Sequence, residues 1–253
     1  MEGYDETTYG EAFADVYDDW YQGVSDIDAT VDTLSRLAFD ASDGRPVARV
    51  LELGVGTGRL AIPLAARHPD ALTVVGVDAS PAMLGLLARR DTDHLVETHC
   101  ADMVTGLPDG PFEVALVAYN TMFNLTGDGE QQRCFDAVAE RLCPGGVFVI
   151  EAFVPDPSRD GDDISVRSMS ADRVVLSISR HAAADQRADG HFVELTEAGG
   201  VRLRPWSIRY TTPADLDVMA GRAGLDLIAR WADMSQAPFD DDSERHVSVY
   251  RRR

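Results

Sequence analysis

A strand that runs into a triple-glycine turn and straight on into a helix constrains this chain more than any other feature: Val50-Leu51-Glu52-Leu53-Gly54-Val55-Gly56-Thr57-Gly58-Arg59-Leu60-Ala61. Glycines at such a turn let a ligand approach the backbone without a Cβ in the way and aim amide N–H groups at it. The spacing alone leaves the ligand open. The dinucleotide pattern GxGxxG or GxGxxA fails at Arg59 when counted from Gly54, but from Gly56 it is met by Gly58 and Ala61, so hydride transfer with NAD remains an alternative.

The surrounding rhythm is that of an α/β domain. Apolar runs at 47–53 and 72–77 flank a helical pattern at 59–67, a βαβ unit. Ser80 followed by Pro81 predicts a capped helix to about residue 90, carrying Met83, Leu84, Leu86 and Leu87. A strand at 95–98, a strand at 112–119, a helix at 130–142 and, after Pro144-Gly145-Gly146, a strand at 147–153 continue the alternation, which implies a mostly parallel sheet with helices on both faces. The pattern changes after Pro155. Runs at 164–170, 174–180, 192–196 and 201–210 read as strands joined by turns, an antiparallel insertion. Thr212-Pro213 opens another capped helix with Gly224 as its C′ residue, and strands at 225–232 and 245–251 finish the sheet. The expected organisation is an N-terminal helical lid segment (1–40), an α/β core (41–155 and 211–253) and an insertion (156–210) that covers the acceptor or makes an oligomer contact.

Charge narrows the partners. With 23 basic and 43 acidic residues the chain carries −20, and every basic residue is arginine. A phosphate backbone would meet repulsion over most of the surface, so nucleic acid is not an expected partner. No apolar run approaches a membrane span, and the first residues are acidic where a secretory signal needs a basic start, which predicts a cytoplasmic protein without membrane contact. Cys100, Cys134 and Cys143 are odd in number and lack CxxC spacing, so they read as reduced, buried thiols. Residues 97–102 collect His, Cys and acids on an extended run whose side chains alternate in direction, and no metal site is expected there.

Acids at three strand ends say more about the ligand than the glycines do. Glu52 sits two residues before Gly54, where it would repel a pyrophosphate and attract an ammonium group. Asp78 lies 20 residues after Gly58 and closes the second strand, placed to accept from both hydroxyls of a ribose. Asp102 and Met103 follow the third strand, one suited to an adenine amino group and the other to its ring. Ligands of open α/β sheets bind beyond the carboxyl ends of the strands. Together these residues describe a cationic ligand with a ribose and no phosphate. Taken singly, each could be a turn glycine or a cap.

At these residues the chain resembles the class I S-adenosylmethionine-dependent methyltransferases. The resemblance rests on Glu52-Leu-Gly54-Val-Gly56-Thr-Gly58, on Val77-Asp78-Ala79-Ser80-Pro81-Ala82-Met83, on Ala101-Asp102-Met103, and on Leu142-Cys-Pro144-Gly145-Gly146. It implies a Rossmann-like sheet of seven strands with the last antiparallel. It also implies that Glu52, Gly54, Gly56 and Gly58 line the methionine side of the cofactor, Asp78 the ribose, and Ala79, Met83, Asp102 and Met103 the adenine. The antiparallel insertion is similar to that of small-molecule methyltransferases, including amino-sugar N,N-dimethyltransferases, where extra strands cover the acceptor or support an oligomer. A homodimer is one expectation from that likeness. A non-catalytic binding module of the same fold is a further alternative.

Methyl transfer from a sulfonium needs alignment and exclusion of water more than a dedicated catalyst. The strand-end candidates near the acceptor are Tyr119, Asn120, Phe123 and Glu151, with Glu151 as the first base to test and Tyr119 also beside the cofactor. Tyr9, Phe13, Tyr17, Trp20 and Tyr21 form an aromatic stripe on one N-terminal helix, a lid over the cofactor with Tyr9 and Tyr17 as its contacts, or simply a packed face. His181 and His191 lie in the insertion, within reach of the acceptor or on exposed turns.

Overall fold

The computed structural model describes residues 1–21 and 23–253. Its chain order is α1 (Thr8–Phe13), α2 (Tyr17–Trp20), α3 (Ile27–Ala41), β1 (Ala48–Leu53), α4 (Ala61–Arg67), β2 (Leu72–Asp78), α5 (Pro81–Arg90), β3 (Val96–Cys100), β4 (Phe112–Val117), a 3₁₀ turn (Thr121–Asn124), α6 (Glu130–Arg141) and β5 (Leu142–Phe153). Four strands of the insertion follow: β6 (Gly161–Met169), β7 (Arg173–Ala182), β8 (Arg187–Thr196) and β9 (Val201–Arg209). Then come α7 (Pro213–Arg222), β10 (Leu225–Trp231) and β11 (Arg245–Arg252).

The main sheet has seven strands in the order β10-β11-β5-β4-β1-β2-β3, with β11 antiparallel to both of its neighbours. Strand β1 pairs in parallel with β2 on one side and β4 on the other. The order in which strands are added therefore reverses at β1, which opens a crevice at the carboxyl ends of these strands. Alternation divides the core. Val50, Val74, Val114 and Val149 face Val31, Leu34 and Ala38 of α3 and Leu64 of α4. On the other face Leu51, Val75, Phe148 and Ile150 meet Phe135 and Val138 of α6 and Leu216 and Ala220 of α7. Both expected caps form: the Ser80 hydroxyl accepts from the Met83 amide at 3.2 Å and that of Thr212 from the Asp215 amide at 3.1 Å. Gly224 takes a positive φ of +78° just past α7.

Strands β6–β9 form a separate antiparallel sheet in simple up-and-down order. Strand β8 starts at Arg187, five residues before the expected 192, and runs through Asp189 and Gly190. Tertiary packing explains Gly190: a Cβ there would lie 2.5 Å from the Trp206 indole and from the Ile178 carbonyl oxygen, so the absent side chain admits the ring. Strand β5 likewise begins early, at Leu142, because Leu142 pairs with Phe112 before Pro144-Gly145-Gly146 shifts the register.

Three expectations are corrected. The aromatic stripe lies on two short helices instead of one, because the chain turns at Ala14–Val16, where Asp15 pairs with Arg204. Helix α3 packs on the sheet, so among the described residues of 1–40 it is the stretch from Tyr4 to Tyr17 that lines the crevice. Cys100 is exposed at the end of edge strand β3, whereas Cys134 and Cys143 are buried.

Candidate active site

The glycine turn is held from below by β2. The amides of Gly54 and Val55 both donate to the Val77 carbonyl, at 2.8 and 3.0 Å. Gly54 and Gly56 have φ of +68° and +56°, in the left-handed region that glycine alone enters at little cost. An added Cβ at Gly54 would strike Thr121 at 2.4 Å, whereas at Gly56 its nearest neighbour is the Tyr17 ring at 4.0 Å. The Gly56 backbone is therefore bared toward the crevice. Gly58 faces the other way, against Ile62 and Leu87, and packs the turn onto α5.

Asp78 ties the turn to the next helix. Its Oδ2 accepts from the Gly56 amide at 2.8 Å and its Oδ1 from the Ser80 amide at 2.9 Å. Burial pushes its carboxyl above the ordinary value, and these two amides pull it part of the way back. Each oxygen has one amide donor and so keeps acceptor capacity, and the residue lines the cavity. Asp102 caps a turn, its Oδ1 accepting from the Val104 and Thr105 amides at 3.1 and 2.8 Å, and the residue also lines the cavity.

That cavity, about 100 Å³, is lined by Tyr9, Tyr17, Gly54, Gly56, Asp78, Ala79, Met83, Asp102 and Met103, nine of the twelve residues expected at the cofactor. Sequence reasoning missed Tyr4, Asp5, Glu6, Gly10, Thr121, Asn124 and Leu125, which with Val77 and Ala101 complete its wall. Nothing local marks them, because the 3₁₀ turn and the extreme N-terminal residues reach the cavity only through the fold. The volume is below the ~300 Å³ at which small-ligand pockets usually begin, and its roof is the segment around α1 and α2.

Glu52, Gly58 and Tyr119 are the three that do not line it. The Glu52 carboxyl is buried behind the turn, and desolvation raises its pKa to about 8 against the opposing pull of Arg59. Tyr119 stands with Glu151 in a separate pocket of about 240 Å³ that also includes Asn120, Phe153 and Arg245. Tyr119 and Asn120 both have positive φ, +55° and +67°, a strained pair after β4. Glu151 holds them: its Oε2 accepts from the Tyr119 amide at 3.3 Å, its carbonyl from the Asn120 amide at 3.0 Å. Its carboxyl is raised by burial. The Asn120 side chain returns the support by accepting from the Phe153 amide at 2.7 Å. Phe123, the last strand-end candidate, is fully buried and stacks edge-on against Phe153.

The roof is latched at both ends. The Asp18 carboxylate accepts from the Thr57 hydroxyl of the glycine turn at 2.7 Å and from Arg90 at 2.8 Å. Glu11 accepts from Ser80 and from the Ala82 amide, at 2.9 and 3.1 Å, and Gly10 lets α1 approach Ser80 closely enough for this. On the far side, buried Arg204 of β9 donates to Asp15 and to Glu194. Within the roof the hydroxyls of Tyr9 and Tyr21 are 2.9 Å apart, and burial keeps Tyr9 and Tyr17 un-ionised, with pKa values well above that of free tyrosine.

A second cavity of about 500 Å³ opens between the inner face of β6–β9 and the end of β5. Its walls include Phe153, Arg167, Ser179, His181, Phe192, Trp206 and Tyr210. Phe192 and Trp206 pack with Phe13, Tyr9, Tyr17, Trp20 and Met83 in one cluster, so the two cavities share an aromatic partition. The two insertion histidines sit in strands, not on turns: His181 faces this cavity, 3.2 Å from the Ser179 hydroxyl, and His191 faces the opposite side of the sheet.

The family described as "Methyltransferase domain" matches residues 50–146. The structure of the CcbJ methyltransferase from Streptomyces caelestis is 38% identical, with 98% of this chain and 99% of that chain covered and a TM-score of 0.86. The chain belongs to the class I S-adenosylmethionine-dependent methyltransferases. The sugar N-methyltransferase KedS8 from Streptoalloteichus sp. ATCC 53650 is 26% identical over 100% of this chain and 99% of that one, with a TM-score of 0.67. A cypemycin N-terminal methyltransferase from a Streptomyces species is 28% identical over 83% of this chain and 84% of its own length. The methyltransferase assignment decides among the three alternatives the sequence left open: the chain is an enzyme, its cofactor is S-adenosylmethionine, and it acts on small molecules. Among the described residues no helix is long and apolar enough to cross a membrane.

Proposed function

We propose that this methyltransferase transfers the methyl group to an amine nitrogen of a small acceptor seated in the 500 Å³ cavity, with alignment as its main device. The observation that carries the reading is the set of titratable side chains on that cavity wall: Asp156, Arg159, Arg167, His181 and Tyr210. Asp156 is held below the ordinary carboxylate range by Ser158, His181 is lowered by burial, and Tyr210 is raised by it. The buried carboxylates that would make strong bases, Glu52 and Glu151, line neither this cavity nor one another's surroundings. An amine sheds its proton to solvent before it attacks, so it needs no base on this wall, whereas a hydroxyl would have to depend on His181. The names of two relatives, a sugar N-methyltransferase and an N-terminal methyltransferase, favour nitrogen as well.

In this reading Asp78 uses its free lone pairs on the ribose hydroxyls, and Ala79, Met83, Asp102 and Met103 receive the adenine. Gly54, Gly56 and Tyr17 hold the methionine portion, and the faces of Tyr9 and Tyr17 stand against the sulfonium. Glu52 acts from behind the turn through its charge. The bound cofactor supplies an electrophilic methyl whose sulfur departs as a neutral thioether. The residues of α1 and α2 act as a lid, since a nucleoside enters a 100 Å³ space only when its roof lifts. The inner face of β6–β9 covers the acceptor.

The test is a methyl-transfer assay with matched acceptors that differ only in an amine or a hydroxyl, read by mass spectrometry. N-methylated product is expected. Exclusive O-methylation would refute the assignment to nitrogen.

A further inference from the structure

The arginines of the insertion are almost all committed. Of the eight between 156 and 210, six pair with a carboxylate and a seventh, Arg187, donates to the Thr126 carbonyl at 2.7 Å. Arg167 is the exception. Among the described residues no carboxylate pairs with it, and its one hydrogen bond is a donation from Nη2 to the Trp20 carbonyl at 3.4 Å. A chain with 43 acids for 23 bases leaves this guanidinium without one.

Its position is built by the sheet. Strand β6 bulges here: Val166 stands opposite Leu176 and Ser168 opposite Val175, so Arg167 has no partner on β7, and a bulge of this kind re-aims a side chain. The guanidinium carbon lies 4.8 Å from the centre of the Trp20 ring, 4.7 Å from that of Phe192 and 5.6 Å from that of Tyr21. Contact with ring faces holds the cation without consuming its N–H donors. Arg167 lines the 500 Å³ cavity. A fixed positive group with most of its donors unused therefore stands at the acceptor's wall.

The charges around it set what it can hold. Glu194, two strands away at this level of the sheet, is already taken by Arg173 and Arg204. Asp156, on the cavity wall, accepts from the Ser158 amide and hydroxyl and stays ionised. Arg159 is 3.8 Å from Asp163, and Asp160 accepts from the Ala183 amide. One uncommitted cation suits a monoanion, whereas a dianion would also be repelled by these acids.

We infer that the acceptor is an amine that also bears a carboxylate, and that Arg167 selects it, the planar fork of its guanidinium donating to the carboxylate oxygens. The inference rests on the reading of this cavity as the acceptor site and names the class of molecule it takes. The rings of Phe153, Trp206 and Tyr210 on the same wall suit an apolar body between the two polar ends.

Calorimetry on protein saturated with S-adenosylhomocysteine tests it, with para-(aminomethyl)benzoate, its amide and the matching aryl phosphate as probes. The benzoate should bind about ten-fold or more tighter than the amide. Arg167→Gln should bring the two within about two-fold while still taking up S-adenosylhomocysteine, which shows that it folds, and Arg167→Lys should keep an intermediate preference. If Arg167 only pinned the roof, its replacement would weaken both probes alike and leave their ratio standing; that result overturns the proposal. So does a wild type that binds benzoate and amide equally, binds neither, or binds the phosphate best. No methyl moves in this measurement, so it fails separately from the nitrogen assignment. O-methylation with the benzoate preference intact sinks that assignment alone, and N-methylation with equal affinities sinks this inference alone.

Discussion

The crevice of the seven-stranded sheet and the cavity beneath β6–β9 are neighbours built by opposite means. In the crevice the backbone does most of the work: strand ends, a glycine turn and helix starts are fixed by hydrogen bonds such as Val77 to Gly54 and Asp78 to Gly56. In the insertion, side chains decide, and they sit on a sheet whose inner wall is polar and aromatic. A backbone-built site demands particular residues at fixed spacing, so it shows in one sequence. A side-chain-built wall can be composed in many ways, and it shows only in the fold.

The sharpest way to break this contrast is at Asp78. Asp78→Ala removes the acceptor of two amides and, on our reading, of the ribose; S-adenosylhomocysteine binding should weaken by about 1.5–3 kcal/mol, roughly ten- to a hundred-fold in Kd by calorimetry. Unchanged affinity would take Asp78 out of the site. Its counterpart in the other region is Trp206→Ala, expected to raise the acceptor KM about ten-fold while leaving the cofactor Kd within two-fold; equal losses in both would show that the regions are not separable.

Proton linkage sharpens the comparison next. Glu52 is protonated below about pH 8 in the free protein, and a cationic ligand favours its ionised form. Binding therefore releases a proton, and cofactor affinity should climb by up to about ten-fold per pH unit below 8 and level off above it. Glu52→Gln should flatten that profile. A smaller effect is expected at the lid, where Asp18→Ala cuts the bonds to Thr57 and Arg90 and should speed cofactor release about three- to ten-fold. The smallest belongs to Glu151→Gln, which keeps an oxygen for the Tyr119 amide: kcat should stay within about three-fold, and a loss of a hundred-fold or more would make Glu151 the base after all.

Legibility followed the same division. The seven-strand alternation, both proline-capped helices and the cavity positions of Asp78, Ala79, Met83, Asp102 and Met103 were readable because period and spacing encode them. Glu52 was legible as an acid beside the turn but not as one buried out of the cavity's lining, because burial is set by the surrounding elements. The break between α1 and α2 has no glycine or proline to announce it; what stands there is the ion pair of Asp15 with Arg204, 189 positions away. The strand expected from 192 begins at Arg187 instead, and Gly190 within it is the place where an indole needs room.

The aromatic partition between the cavities has a kinetic meaning. Tyr9, Tyr17 and Met83 line the first chamber, Phe192 and Trp206 line the second, and all five pack in one cluster with Phe13 and Trp20 between them, so on our reading closure of the lid over the first chamber would also finish the wall of the second. Turnover would then be compulsory-order: donor in before acceptor, methylated product out before spent donor. The departing nucleoside would set the pace, and its accumulation would be the natural brake on the enzyme.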